Sequence, residues 1–148
     1  MKIPRFAQSI ARGFGRLHVA FFRISRGRGT SNTLVLTTIG RESGRPVAVP
    51  LFFASEDGTP ETARLYIAAS FAGNDEAPGW YRNLLANPAV EVERAGRKGA
   101  YVAKSLSGEE ARSIWPKLLA VWPPYASYQK KTKRLIPIVE LRPASGGR

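Results

Sequence analysis

Residues 34–53 read LVLTTIGRESGRPVAVPLFF: two short apolar runs, rich in β-branched side chains, on either side of a glycine-bearing turn. This stretch constrains the fold more than any other. Runs of this length and composition suit a pleated, half-buried strand and are too short for a helix. Residues 33–39 and 47–53 therefore predict an antiparallel hairpin. Its turn is larger than a reversal needs. Two residues such as Asn-Gly suffice, yet Gly40-Arg41-Glu42-Ser43-Gly44-Arg45-Pro46 intervenes, with two glycines and two arginines. Glycines let successive backbone amides converge on an anion, and Arg41 and Arg45 can clamp a phosphate or carboxylate through paired donors. A solvated hairpin tip has a similar composition, so the turn alone leaves both readings open.

The strand-and-turn pattern continues along the chain. ARLYIAAS (63–70) predicts a strand, and APGWYRNLLANP (77–88) a short helix that stops before Pro88, because a residue preceding proline avoids the helical region. AVEVER (89–94) alternates and pairs with KGAYVAKSL (98–106) across residues 95–97. Ser107-Gly108-Glu109-Glu110 has the form of a capping box, in which the Ser and the Glu three residues on satisfy the first free amides of a helix. That helix carries Ile114, Trp115, Leu118, Leu119 and Trp122 and ends at Pro123-Pro124. YASYQKKT predicts a further turn of helix, and IPIVELRP (136–143) a last strand. Six short strands joined mostly by hairpins, with helices at the edges, imply a closed or nearly closed antiparallel barrel. A single domain of 148 residues buries roughly 70% of its unfolded surface, enough for a proper core.

The net charge of +12 is concentrated at the ends. Residues 1–30 hold seven Lys/Arg and no acid, and residues 129–148 hold six against the single Glu140. Such arms favour anionic partners: lipid, nucleic acid or a phosphate-bearing ligand. In the N-terminal segment, Ile3, Phe6, Ile10, Phe14, Leu17 and Phe21 share one helical stripe, opposite Lys2, Arg5, Arg12, Arg16 and Arg23. The stripe either packs on the domain or lies on a membrane surface as a basic amphipathic helix. The domain plan is then a basic helix and linker over 1–30, the barrel over 31–143 and a short tail over 144–148. Nucleic acid is the disfavoured partner, because the basic residues flank the barrel and do not interleave with aromatics on one strand face.

Several chemistries are excluded. The chain has no cysteine and one histidine, His18, so neither a zinc cluster nor a cysteine nucleophile is available. Gly40 to Gly44 lacks the spacing and the Gly-Lys-Ser/Thr of a Walker loop, and the dinucleotide fingerprint G-x-G-x-x-G does not occur. No apolar run reaches the roughly 18 residues of a membrane span, and basic residues interrupt any signal-like core. These features fit a cytoplasmic chain, acting at the inner face of the cell membrane if the N-terminal helix binds lipid. Two other features bear on a ligand site. Trp80 and Tyr81 stand in the first turn of the predicted 77–88 helix, where free amides attract anions. Trp122, Tyr125 and Tyr128 are three residues apart, which lines them on one face if the chain stays helical past the prolines.

Taken in order, LVLTTIGRESGRPVAVPLFF, LYIAAS, PGWYRNLLANPAVEVE, EEARSIWPKLLAVWPPYASYQ and IPIVELRP resemble the deazaflavin-dependent nitroreductase family over about residues 33–143. The resemblance implies a mainly β, split antiparallel β-barrel of Greek-key type with flanking helices. It also implies coenzyme F420, an 8-hydroxy-5-deazaflavin with a ribityl-phosphate, lactyl and glutamyl tail. Members deliver a hydride from the reduced coenzyme to quinones, nitroaromatics or unsaturated lactones. Carried across by position, Arg41 and Ser43 face the phosphate and tail, with Arg45 beside them in the turn as a further cofactor-binding candidate, and Ala48, Val49, Pro50 and Leu51 line the ring through backbone groups. Ala69, Ser70 and Phe71 follow on the next strand end. Trp80, Tyr81 and Asn83 make helix-side contacts, and Tyr125 closes over the ring. Ser70, Tyr125 and Tyr128 are the catalytic candidates, facing the acceptor. The alternative is FMN or another flavin in the same barrel, or a barrel that only carries a cofactor. A small-molecule acceptor and a second copy of the chain, as a homodimer, complete the expected partners. Glu42, Val47 and Phe71 stand where members often carry basic residues, and Asn74-Asp75-Glu76 fills a connection that often contains one. Each lost charged hydrogen bond weakens coenzyme binding by roughly 1.5–3 kcal/mol, for which Arg45, Arg82 and the basic termini can compensate. Trp122 replaces a Tyr of the nitroimidazole-reducing branch, so prodrug activation is not expected.

Overall fold

The computed structural model describes residues 32–144 apart from 57, 60 and 61. The expected N-terminal helix, its membrane contact and residues 145–148 lie outside the described residues. The elements in chain order are β1 (Thr33–Ile39), β2 (Pro46–Phe52), β3 (Ala54–Ser55), β4 (Leu65–Ala68), a 3-10 turn (Phe71–Gly73), α1 (Gly79–Ala86), β5 (Ala89–Arg94), β6 (Arg97–Leu106), α2 (Gly108–Val121), α3 (Tyr125–Lys131) and β7 (Ile138–Pro143).

The strands form one antiparallel sheet in the order β2-β1-β5-β6-β7-β4-β3. Its two outermost strands, β2 and β3, are consecutive in the chain with only Phe53 between them. Opposite edges of a sheet can be joined by one residue only if the sheet curls until those edges meet. Phe53 is that corner. It is buried, its N–H donates to the Asn32 carbonyl at 2.9 Å, and the Arg94 guanidinium lies 5.3 Å from its ring centre. The result is a split antiparallel barrel, mainly β with three α-helices among the described residues.

Period-two alternation sorts side chains into two cores. Leu34, Leu36, Leu65, Ile67, Ala69, Val90, Val92, Tyr101, Ala103, Val139 and Leu141 fill the barrel, joined by Trp80 and Leu84 from α1. The intervening Tyr66, Ala68, Leu106 and Ile138 face outward, under Leu118 of α2 and Tyr125 of α3. Each fully buried large apolar side chain contributes about 1.5–3 kcal/mol. The β5–β6 hairpin turns at Ala95 and Gly96, both with positive φ (49° and 78°), the geometry that matches strand twist in a two-residue turn.

Several sequence-based expectations are corrected. Among the described residues the sheet has seven strands, because the two-residue β3 pairs with β4. The strand expected over 63–70 is confined to Leu65–Ala68, and the helix expected over 77–88 to Gly79–Ala86. Ser107 does precede α2, but its side chain makes no capping hydrogen bond. Gly108 enters the helix with φ 58°, which turns the chain away from the geometry a capping box requires. The prolines do end α2, at Val121, and α3 begins at Tyr125, as the sequence predicts.

If the corner holds the barrel shut, Phe53→Ala should cost about 3–5 kcal/mol, as for other buried aromatics. Val102→Ala, at a side chain 46% exposed, should stay within roughly 1 kcal/mol. Urea denaturation of the two variants checks this, and equal losses would contradict it.

Candidate active site

The turn between β1 and β2 is built on its own backbone. Gly40 N–H donates to the Arg45 carbonyl at 2.7 Å, Gly44 N–H to the Gly40 carbonyl at 2.8 Å, and Arg45 N–H to Ser43 Oγ at 3.1 Å. Gly44 holds φ 71°, and a Cβ on Gly40 would sit 2.5 Å from Ser43 Oγ. The left-handed φ favours glycine at 44, and a side chain at 40 would meet the Ser43 hydroxyl and, at 3.3 Å, the Arg45 carbonyl. Arg41 ties the turn to α1. Its N–H and its guanidinium Nη1 both donate to Asn83 Oδ1, at 3.1 and 2.9 Å, while Asn83 Nδ2 donates to Thr38 Oγ1 at 3.1 Å. Asn83 and Thr38 are buried, and Arg41, Arg45 and Arg82 are exposed. The turn presents cations on a fixed frame.

Beyond the turn, β2 is an edge strand. No strand among the described residues pairs with its outer side. It contains Pro46 and Pro50, which lack an N–H and so suit an edge. Ala48, Val49 and Leu51 are half-buried, and Pro50 is exposed. The strand offers an apolar, partly open wall.

The facing lip follows β4. Ala54 pairs with Tyr66 and Ser55 with Leu65, so β4 leads away from the Phe53 corner to Ala69 and Ser70. Among the described residues β2 and the end of β4 are not paired with each other, and that unpaired stretch is the split in the barrel. Ala69 and Ser70 are buried, whereas Phe71 is 52% exposed. Phe71, Ala72 and Gly73 all have positive φ (45°, 52° and 82°). The turn is held from two sides. A Cβ on Gly73 would lie 2.7 Å from the Tyr128 carbonyl oxygen, so the turn packs directly on α3. The Arg134 guanidinium donates to the carbonyls of Ala69 (3.1 Å), Ser70 (2.9 Å) and Asn74 (2.8 Å).

An aromatic corner bridges the two lips. Phe52 stacks on Trp122 with ring centres 4.5 Å apart, and Trp122 Nε1–H donates to the Tyr128 hydroxyl at 3.3 Å. Tyr128 in turn meets Tyr125 edge to face at 6.1 Å. Tyr125 is buried, and burial, with a smaller contribution from Tyr128, pushes its phenol up to about 12.

Comparison with known proteins decides the family. The family model described as F420H(2)-dependent quinone reductase matches residues 14–143. The chain belongs to this family. An F420H(2)-dependent quinone reductase of Mycobacterium tuberculosis (strain H37Rv) is 32% identical over 140 residues, covering 85% of this chain and 87% of that protein. The structure of an F420-H2 dependent reductase superposes with a TM-score of 0.67 at 36% identity, over 75% of this chain and 94% of that one. A second structure, described as a domain-swapped dimer, gives a TM-score of 0.67 at 32% identity over 84% and 99% of the two chains.

The quinone reductase family implies a flat ring with an acidic tail, and the residues fit such a group. The β2 wall is apolar and lacks an N–H at Pro50, and three exposed arginines stand at one end of it. Nothing lies within 4 Å of a Cβ built on Gly44, so the top of the turn is open. The structure brings Arg41, Ser43, Arg45 and Ala48–Leu51 together on one lip, and Ala69, Ser70, Phe71, Tyr125 and Tyr128 on the other. Trp80, Tyr81 and Asn83 make contacts within the protein. Trp80 is buried in the barrel core, and the Tyr81 hydroxyl is bonded to Ser105 Oγ at 2.9 Å. The Asn83 amide is occupied by Arg41 and Thr38. Thr38 and Arg134 escaped sequence reasoning: the first is one threonine of a strand, the second one cation in the run KKTKR.

Because the Asn83 side chain makes three hydrogen bonds, to Arg41 and Thr38, Asn83→Ala should lower stability by about 2–3 kcal/mol, the cost of leaving buried polar groups unpaired. It should also free the Arg41 side chain. Equilibrium denaturation checks the first outcome. A loss below roughly 0.5 kcal/mol would show that the latch is not formed in solution.

Proposed function

We propose that this protein is an F420H2-dependent oxidoreductase that delivers a hydride to a quinone or a comparable electron-poor organic acceptor. What carries the reading is the split itself: an apolar strand wall with arginines at one end, facing a buried serine and two tyrosines, in a chain of this family. When bound, the reduced deazaflavin supplies the hydride, so the protein's part is to position and to shield. Arg41 and Arg45 take the acidic tail, and the amides at the start of α1 favour its phosphate. Ala48 to Leu51 form one face of the ring site and exclude water from it. Ser70 and Tyr128 orient the acceptor.

Tyr125 has a narrower role than sequence position implies. With its phenol held near 12, it keeps its proton at physiological pH and acts as a wall, and as a hydrogen-bond donor only where an acceptor reaches it. Tyr128 is half-buried, and its oxygen already accepts from Trp122, which leaves its own O–H free to donate toward an acceptor oxygen. The proton that completes quinone reduction then comes through Tyr128 or from water.

The test is direct. Purified protein should bind F420 in a fluorescence titration, in preference to FMN, and should oxidise F420H2 when menadione is added. Arg41→Ala with Arg45→Ala should weaken coenzyme binding by about tenfold or more. Preference for FMN, or no F420H2 oxidation with any quinone, would overturn the reading.

A further inference from the structure

Arg134 is set apart from its neighbours. Lys130, Lys131 and Lys133 are exposed, whereas Arg134 is half-buried and its guanidinium meets three backbone carbonyls of the 69–74 segment. Two of these belong to consecutive residues, Ala69 and Ser70. In a planar trans peptide the C=O and the following N–H point in opposite directions. Carbonyls 69 and 70 both point at Arg134, so the N–H groups of Ser70 and Phe71 both point away from it. Ser70 is right-handed helical (φ −79°, ψ −35°) and Phe71 is left-handed (φ 45°), the succession that turns neighbouring amides into one anion-binding concavity. Among the described residues no hydrogen-bond acceptor meets either N–H, although Ser70 is 92% buried by its 8% exposure.

We infer that Arg134 is a positioning residue: by gripping carbonyls 69 and 70 from behind, it aims the Ser70 and Phe71 amides as a two-donor hole for a negatively polarised carbonyl oxygen in the split. The inference rests on the proposed function, which places the reacting rings between β2 and this turn. Two features strengthen the arrangement. A cation on the carbonyl side polarises each peptide and makes its N–H a better donor. The left-handed conformations of Phe71 and Ala72 are unfavourable for residues with a Cβ and persist only where the surroundings impose them; three hydrogen bonds from one rigid fork do so. A lysine at 134 would bring the charge without the fork. Two oxygens have the required chemistry: one on the dione ring of the deazaflavin, and the acceptor oxygen that gains charge as hydride arrives.

The experiment uses wild-type protein and Arg134→Lys, both checked for folding by circular dichroism. In the wild type, saturation with F420 alone, or with F420 and a non-reacting quinol, should move the amide proton resonances of both Ser70 and Phe71 downfield and slow their exchange. In Arg134→Lys, a loss of coenzyme affinity of about tenfold or more assigns the ring oxygen. A comparable loss in kcat with coenzyme affinity unchanged assigns the acceptor oxygen. Either result supports the inference. Unmoved amides in coenzyme-bound wild type, or a folded Arg134→Lys within twofold of wild type in both affinity and kcat, would overturn it and leave the proposed function standing. Should Arg134→Lys fail to fold, the wild-type amide resonances still decide. Wild-type protein that does not bind F420 at all would overturn both.

Discussion

Everything in this molecule follows from one residue joining opposite edges of a sheet. β2 and β3 stand at the two ends of the strand order yet are separated only by Phe53. Backbone hydrogen bonding alone would leave an open seven-stranded sheet. The covalent link at Phe53 forces that sheet to close, and the pairing of β3 with β4 stops after two residues. Past that point β2 and the end of β4 are not paired with each other among the described residues, leaving an unpaired edge on each side. The site is the unpaired remainder of a nearly closed barrel.

An unpaired gap is a liability, since edge strands invite association. Here each lip is held open by a polar latch, while an aromatic bridge closes the base. On the β2 side, Arg41, Asn83 and Thr38 fasten the glycine turn to α1. On the β4 side, Arg134 and the close approach of Gly73 to Tyr128 fasten a left-handed turn to α3. Phe52, Trp122 and Tyr128 span the base through ring stacking and one hydrogen bond. Such an arrangement keeps the lips at a fixed separation without a strand between them. That is the condition for placing two flat molecules face to face, where positioning supplies most of the catalysis.

Much of this was legible in the sequence, for physical reasons. The β1–β2 and β5–β6 hairpins were readable because β-branched runs and alternation report a pleated surface directly, and Ala95-Gly96 marks a tight turn. The width of the 40–46 turn was readable from its glycines. Corners and latches were not. Two residues of β3 carry no periodicity, so the element that defines closure is silent in the sequence. The Asn83 latch carries no sequence signal, because an asparagine one turn into a helix beside a glycine loop has the same composition whether it faces a phosphate or a neighbouring arginine. Arg134 is chemically identical to any surface cation in KKTKR, and only the tertiary position of carbonyls 69, 70 and 74 distinguishes it. Tyr125 was rightly linked to Tyr128, but its burial depends on how α2 breaks and α3 restarts, which spacing does not encode.

The central claim is that both lips of the split contact one bound coenzyme. Hydrogen–deuterium exchange with and without F420 measures this across the whole backbone. Protection should appear together in residues 40–51 and 69–73 and be absent from the remote β5–β6 turn at 95–97. Protection of only one lip, or of a surface away from the split, would contradict the account.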